Sequence, residues 1–526
     1  MEVYGGQWRS PTQNPRIVLR PVLRKPSGRH QGTSTLRPET CLFPGHASAA
    51  NPPKGCSDFP RREASAMISR REFLATTGAA VATSSVGGVS AAKGEPATGG
   101  EKSARLFLPV DDLKPATFDR LPLEWHKQRA QKLCQQLAED GYTGILLTDR
   151  WNIIYFTGLW HTTTERLVNV FLPLKGDPVW FNSALDRDLV KTWWYNDGEM
   201  YFDWFHAEGA FPNEGKVQMG AKVDLFEWVL KSLKNRGCAG QKLAADIEFP
   251  PSAQKKVVNV LGKEMTSAEE TCMGMRMRKT PEELALMRRA YNYFNQLHSF
   301  ARDMLLEHGT DLTDFDIASA ATKYGTDLIM SDIKRDGAPH TAVGIEIEVG
   351  CRTGRSTAYP HPNQFQHNKV ARGQALQIEG VVNIAGCGGE LYRAMFIHPF
   401  TEQMKKLWMV SRDCCQIQKE ESVAGVTCST VAYKVHKYQV KNGVAPYIYH
   451  RPAHGQGWEG HQPPYLALGD YRMLEPGMCF SVEPGLYDPE HGIGANFSDG
   501  FVVQPEGPSR QMSRLPWSEE WCLIKL

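Results

Sequence analysis

The 526-residue sequence lacks several features that point to common classes of protein. It has no strong net charge, because 60 Lys and Arg residues face 58 Asp and Glu residues, so nothing favours a nucleic-acid partner. None of its twelve cysteines stands in a Cys-x-x-Cys pair, which excludes a zinc finger of that type and a dense disulfide framework. It also lacks a phosphate-binding loop, a nucleotide-binding fingerprint and any sign of a Ser-His-Asp triad. What remains is an ordinary globular composition in a chain long enough for two or three domains.

The first 92 residues differ in character from the rest. Residues 1–66 are rich in Pro, Gly, Ser and Arg and carry ten Lys/Arg against four Asp/Glu, so we expect disorder. Residues 69–74, SRREFL, then resemble a twin-arginine export motif, and small residues at 89–92 offer a cleavage site. We interpret 67–92 as a signal peptide, with translation starting at Met67 and export of the folded protein to the periplasm or beyond. It is too short and too polar for a stable membrane anchor. A chance Arg-Arg pair before a flexible linker is the alternative.

Residues 93–116, rich in Lys, Gly, Glu and Pro, are interpreted as a linker. From 117 to 275, helical and strand patterns alternate, which predicts an α/β domain. Ala130, Leu133 and Leu137 fall on one helical face, and residues 143–149, TGILLTD, indicate a buried strand. An aromatic patch follows, interpreted as core or, alternatively, as a substrate-facing or dimer surface: Trp193, Trp194, Tyr195, Tyr201, Trp204 and Phe205.

A domain boundary is predicted after residue 275. Thr280-Pro281 followed by two glutamates is typical of a helix start, and a long amphipathic pattern follows it. Residues 309–313 separate this helix from a second one, which is predicted to begin near Asp314.

The most informative stretch runs from His450 to Tyr487. It contains His450, His454 and His461, then a Glu-Pro-Gly-Met turn and a short apolar run that ends at Glu483. This run suits a buried strand with the carboxylate of Glu483 at its end. Such a carboxylate is costly to bury unless it is paired or bound to a metal. A polar loop before an ordinary core strand is the alternative.

These motifs resemble those of the pita-bread family, which includes aminopeptidase P, prolidase, methionine aminopeptidase and the metal-free creatinase. Residues 152–158, NIIYFTG, also resemble a signature of the family's N-terminal domain. The resemblance implies a creatinase-like α/β domain at 117–275, followed by an α+β pita-bread catalytic domain at 276–526. It further implies a homodimer in which the N-terminal domain caps the neighbouring subunit's site.

The resemblance also assigns candidate site residues. Glu379 and Glu390, eleven residues apart on a predicted hairpin, match two metal-binding aspartates of the family, although two solvated glutamates are the alternative. The implied ligands of one or two Mn, Co, Zn or Fe ions are Glu379, Glu390, His454, Glu483 and Asp499. Two ions would polarise a scissile carbonyl and acidify a bridging water. The implied catalytic residues are His361, His450, His454, His461, Glu483 and Arg393; for His361 a structural role is the alternative.

The chain departs from the family pattern around these positions. Glutamates replace both aspartates, Ser498 replaces a bridging glutamate, and Asn496 replaces an arginine; Asp499 matches but points to the other face of its strand. The first interpretation is therefore an exported aminopeptidase P- or Xaa-Pro dipeptidase-like metallopeptidase with an altered metal site, acting on small peptides.

Two other interpretations stay open. One is a metal-independent creatinase-like amidinohydrolase of a small amide or guanidino substrate, in which His361 acts as acid or base and Glu483 orients the substrate. The other is a non-catalytic periplasmic binding protein.

Overall fold

The computed structural model describes residues 100–161, 164–194, 197–201, 224–334, 343–361 and 367–526. The predicted leader and twin-arginine segment lie outside these ranges, as do Tyr195, Trp204 and Phe205 of the aromatic patch. Residues 100–116, predicted as part of a linker, are packed against the C-terminal domain. The carboxylate of Asp303 accepts hydrogen bonds from the backbone N–H groups of Lys102 and Ser103, each at 3.0 Å, and Ser103 is fully buried.

The N-terminal domain contains a mixed six-stranded sheet in the order β4-β3-β2-β1-β5-β6. Strand β1 pairs in parallel with β5 and antiparallel with β2. The described elements of this half of the chain are α1 (Glu101–Ala104), α2 (Leu123–Glu139), β1 (Gly144–Leu147), α3 (Arg150–Thr157), β2 (Asn169–Pro173), β3 (Val179–Ser183), α4 (Arg187–Lys191), β4 (Asp197–Tyr201), α5 (Leu225–Leu233), β5 (Leu243–Ala245), α6 (Pro251–Leu261), β6 (Thr266–Ser267) and α7 (Glu269–Met277). The predicted helix from Leu121 and the predicted strand at 143–149 correspond to α2 and β1.

The C-terminal domain combines a four-stranded sheet, β17-β9-β8-β7, with a five-stranded sheet, β11-β10-β12-β15-β16, and a short β13–β14 ribbon. Helices α8 and α9 cover the four-stranded sheet. The elements are α8 (Pro281–His308), α9 (Asp314–Asp332), β7 (Glu346–Thr353), β8 (Ala375–Ile384), β9 (Cys387–Ile397), α10 (Glu402–Glu421), α11 (Cys428–Lys441), β10 (Ala453–Gly455), β11 (Gln462–Leu466), β12 (Cys479–Val482), β13 (Leu486–Asp488), β14 (Ile493–Ala495), β15 (Asp499–Val502), β16 (Arg510–Gln511), α12 (Glu519–Cys522) and β17 (Leu523–Ile524). This is the predicted order of an α/β domain followed by a pita-bread domain.

Helix α8 begins where the sequence predicts it. The Thr280 hydroxyl accepts from the backbone N–H of Glu283, and the Glu283 carboxylate accepts from the backbone N–H of Thr280 at 2.8 Å. This reciprocal capping satisfies two of the helix's unpaired donors. Helix α9 begins at Asp314, also as predicted, with Thr313 as its cap.

The two domains share a hydrophobic core, and the loop between His454 and His461 takes part in it. Trp458 of this loop packs against Tyr155 of α3, with ring centroids 5.4 Å apart. Its indole N–H donates to the Glu283 carboxylate at 2.7 Å. The histidine-bearing loop is therefore held by residues of both domains.

No helix within the described residues combines the length and apolarity needed to cross a membrane.

Candidate active site

A cavity of about 780 Å³ opens in the C-terminal domain, and it collects most of the predicted site residues. Four histidines line it: His361, His450, His454 and His461. Glu379 and Glu483 line it as well. Strands β8, β10 and β12 bring these residues together from distant parts of the chain.

Glu390, His454 and His461 form a cluster that fits a metal ion. The His454 Nε2 lies 3.2 Å from Glu390 Oε1, and the His461 Nε2 lies 3.5 Å from the same oxygen. A tetrahedral ion with ligands at about 2.0–2.2 Å holds those ligands about 3.3–3.6 Å apart. The three donors lie within 4.8 Å of one another, and one carboxylate with two imidazoles is a donor set suited to Zn, Mn, Co or Fe. The separations and donor types therefore suit one divalent ion once the rings of His454 and His461, whose centroids lie 3.8 Å apart and whose planes differ by 13°, turn so that both Nε2 lone pairs point to it.

Local structure determines where these three side chains point. Glu390 lies in β9, His454 in β10, and His461 directly before β11. The Gln456 amide donates to the Tyr291 hydroxyl of α8 at 2.9 Å, and its oxygen accepts from the backbone N–H of Glu390 at 3.3 Å. Gln456 thereby ties the backbone of β9 to the histidine-bearing loop.

Glu483 completes the cluster from the end of β12, as the sequence predicts. Its Oε1 lies 3.3 Å from His454 Nε2 and accepts from the Ser481 hydroxyl at 3.1 Å. The Ser481 hydroxyl also lies 2.9 Å from the hydroxyl of Ser498. Ser498 therefore reaches the cluster only through another serine, and its short neutral side chain supplies no carboxylate.

The charges of this cluster depend on one another. Burial disfavours an imidazolium at His454, but contacts with Glu390 and Glu483 outweigh burial and raise its pKa to about 10. Burial disfavours a carboxylate at Glu483, yet contact with His454 brings its pKa below the ordinary value. Burial and the nearby Glu483 raise the pKa of Glu390, while burial and the nearby His454 lower the pKa of His461. The two carboxylates thus favour a protonated His454, and a metal bound at its Nε2 would replace that proton.

Glu379 occupies a different electrostatic setting from Glu390. Strands β8 and β9 pair Glu379 with Tyr392 and Val381 with Glu390, so the two glutamates lie diagonally on one face of the hairpin. The Glu379 carboxylate accepts from the Arg352 guanidinium and, at 2.8 Å, from the Gln377 amide. The hairpin is therefore as predicted, but Glu379 already has a cationic partner.

The structure does not bring Arg393 or Asp499 into the cluster. These two side chains form an ion pair at 2.6 Å, and both are 0% exposed. Arg393 also donates to the carbonyls of Ser498 at 2.7 Å and Leu515 at 2.9 Å, while Asp499 accepts from the Ser513 hydroxyl at 2.5 Å. Within the described ranges neither residue lines the cavity. The predicted catalytic role of Arg393 and metal role of Asp499 are therefore replaced by a structural pair, because Asp499 faces away from Ser498 along the strand.

The remaining two histidines lie at the cavity wall. His450 Nε2 lies 3.0 Å from the Tyr487 hydroxyl, and its Nδ1 lies 2.8 Å from the backbone oxygen of Arg451. His361 is exposed and lines the same cavity. Both positions allow contact with a bound molecule.

Sequence reasoning missed Arg352, which lines the cavity from β7. No motif marks it, and its contact with Glu379 follows from the pairing of β7 with β8, in which Arg352 lies opposite Gln377. An arginine in a strand of alternating polar and apolar residues does not by itself indicate a functional site.

Comparisons with known proteins agree with this architecture. Residues 129–278 match the Creatinase/Prolidase N-terminal domain, and residues 285–505 match Metallopeptidase family M24. An Xaa-Pro dipeptidase of Lactobacillus delbrueckii subsp. lactis is 25% identical over 402 residues, which cover 74% of this chain and 99% of the relative. A creatinase of Bacillus sp. is 21% identical over 428 residues, which cover 79% and 96%. The structure of a prolidase from Thermococcus sibiricus superposes with a TM-score of 0.61 at 19% identity, covering 76% and 99%.

Proposed function

Since the chain is a peptidase-like hydrolase with a creatinase-like domain followed by a pita-bread domain, we propose that it is a metal-dependent dipeptidase of the Xaa-Pro type. The observation that carries this proposal is the cluster of Glu390, His454 and His461, whose two histidines line a cavity large enough for a small peptide. When bound there, a divalent ion supplies Lewis-acid polarisation of a carbonyl and a nucleophilic water at neutral pH.

The protein side chains around the cluster have separate tasks. Glu390, His454 and His461 would hold the ion, and Glu483, whose Oε1 lies 3.3 Å from His454 Nε2, would be placed to accept a hydrogen bond from a water at the ion. His361 and His450 on the wall can donate hydrogen bonds to the substrate. The hydroxyl of Tyr487 fixes the ring of His450.

The proposal is tested with purified protein stripped of metal by a chelator and then supplied with Mn²⁺, Co²⁺ or Zn²⁺. We expect release of proline from Xaa-Pro dipeptides by the metal-supplied protein and no release by the stripped protein. Matched Xaa-Ala dipeptides measure the preference for proline. Tight binding of one ion without hydrolysis of any dipeptide would contradict the proposal.

A metal-independent creatinase-like hydrolase is the second candidate. The arrangement that favours it is the position of His454 between Glu390 and Glu483. A protonated His454 offsets the negative charge of these two carboxylates. Such a group can serve acid/base chemistry on a guanidino substrate. Undiminished hydrolysis of creatine by the chelator-treated protein would support this candidate and contradict the first.

Export and dimerisation are also proposed. The twin-arginine-like residues 69–74 support export of the folded protein. The resemblance to the pita-bread family supports a homodimer, which light scattering on the purified protein tests directly.

A further inference from the structure

Two carboxylate oxygens at the Glu390–His454–His461 cluster and beside it already have donors within the protein. The Glu379 carboxylate accepts from Arg352 and from Gln377 at 2.8 Å. The second oxygen of Glu390, Oε2, accepts from the hydroxyl of Tyr392. One oxygen of each of these carboxylates, Glu379 Oε2 and Glu390 Oε2, is therefore already occupied.

Three hydrogen bonds hold the guanidinium of Arg352 in this position. Its Nη1 donates to the backbone oxygens of Tyr359 at 2.8 Å and Pro360 at 3.1 Å, while its Nη2 donates to Glu379. Its side chain is only 9% exposed, so the guanidinium cannot swing out into solvent without breaking all three contacts.

The backbone of β7 makes room for the pair. Gly350 lies opposite Glu379 in the register of β7 and β8. A Cβ at position 350 would lie 2.8 Å from Cγ of Glu379, closer than packed atoms tolerate. Because Gly350 has no side chain, the side chain of Glu379 can lie directly against the backbone of β7.

We propose that the guanidinium of Arg352, assisted by the Tyr392 hydroxyl, takes the place of a second metal ion, so that this site binds one ion only. This inference rests on the proposed function, because it takes the first ion to be held by Glu390, His454 and His461. The charges support it: the three carboxylates of Glu379, Glu390 and Glu483 are neutralised by one divalent ion together with Arg352. A second divalent ion in addition to Arg352 would leave an excess of positive charge around these carboxylates, which is unfavourable where burial reduces screening by solvent.

Metal stoichiometry is the direct test. Titration of the metal-free protein with Mn²⁺ in a calorimeter should show one site per chain, and electron paramagnetic resonance of the loaded protein should show an uncoupled Mn²⁺ ion. In R352M, which frees Glu379, we expect a second, weaker Mn²⁺ site and spin coupling between the ions. R352K keeps the charge and should bind one ion.

A matched control removes an arginine from an ion pair elsewhere. Arg278 pairs with Glu475 at 3.1 Å, and both side chains are more than 40% exposed, so R278M should leave the stoichiometry at one. Two coupled ions in the wild type would overturn the inference while leaving the proposed function intact. No bound Mn²⁺ in the wild type would instead defeat the proposed metal-dependent function. A single unchanged site in a folded R352M would show that Arg352 does not exclude the second ion.

A second variant keeps the test independent of how well R352M folds. If Glu379 pairs with Arg352 and does not bind a metal ion, E379Q should change the Mn²⁺ dissociation constant less than about threefold. A loss of affinity of more than tenfold in E379Q would identify Glu379 as a metal ligand and overturn the inference.

Discussion

Replacing Asp499 by Asn should destabilise the protein without changing its metal binding. The carboxylate of Asp499 lies 2.6 Å from the Arg393 guanidinium, and both residues are fully buried. Removing one charge of such a pair leaves the other buried and uncompensated, which costs about 3–5 kcal/mol. Arg393 keeps its hydrogen bonds to the carbonyls of Ser498 and Leu515, so we expect a cost near the lower end of that range.

The assay is thermal unfolding of the chelator-treated wild type and D499N. An unfolding entropy of about 2.1 cal/mol/K per residue over roughly 430 residues gives about 0.9 kcal/mol/K, so a cost of about 3 kcal/mol lowers the midpoint of cooperative unfolding by about 3–4 °C. Mn²⁺ titration of the folded variant should match the wild type. An unchanged midpoint together with lost Mn²⁺ binding would refute the structural role of Asp499 and restore it as a metal ligand.

Three further predictions concern the site, the thiols and the leader. H454A should bind Mn²⁺ at least about 100-fold more weakly and lose Xaa-Pro hydrolysis, since the substitution removes the central donor of the cluster. The control is H308A, which replaces an exposed histidine at the end of α8. Near wild-type turnover in H454A would remove His454 from the mechanism. The ten cysteines that the structure describes are free, and burial raises the pKa of each of these thiols. Ellman's reagent should therefore react slowly with the native protein at pH 7 and fast after denaturation. Rapid labelling of several native thiols would contradict this burial. Replacing Arg70 and Arg71 by Lys should keep the protein in the cytoplasm as judged by cell fractionation, and normal export of the double variant would rule out the twin-arginine route.

Local chemistry made much of the fold predictable from the sequence. The Thr280-Pro281 start of α8 is confirmed because its capping residues interact within one helical turn. The strand that ends at Glu483 is also confirmed, since a short run of apolar residues between turn signals suits a buried strand. The packing of residues 100–116 was not predictable, because it depends on Asp303, which lies about 200 residues further along the chain.

Only the site residues that lie in a recognisable motif were predictable from the sequence. His454 and Glu483 meet as the family resemblance implies, and Glu390 joins them. The partner of Glu379 could not be predicted, because it depends on the register of β7 against β8. The metal role assigned to Asp499 rested on its match to the family motif, and only the three-dimensional structure reveals the arginine that binds it.

The contacts of Trp458 make the geometry of the candidate site depend on two domains. This residue lies between His454 and His461 in the sequence, yet it packs on Tyr155 of the N-terminal domain and donates to Glu283 at the start of α8. The neighbouring Glu459 forms an ion pair with Arg276, which lies within the residues that match the Creatinase/Prolidase N-terminal domain. A chimaera that joined this catalytic domain to the N-terminal half of a relative would have to retain both sides of these contacts. The domain boundary visible in the sequence is thus not a boundary at which the protein can be recombined freely.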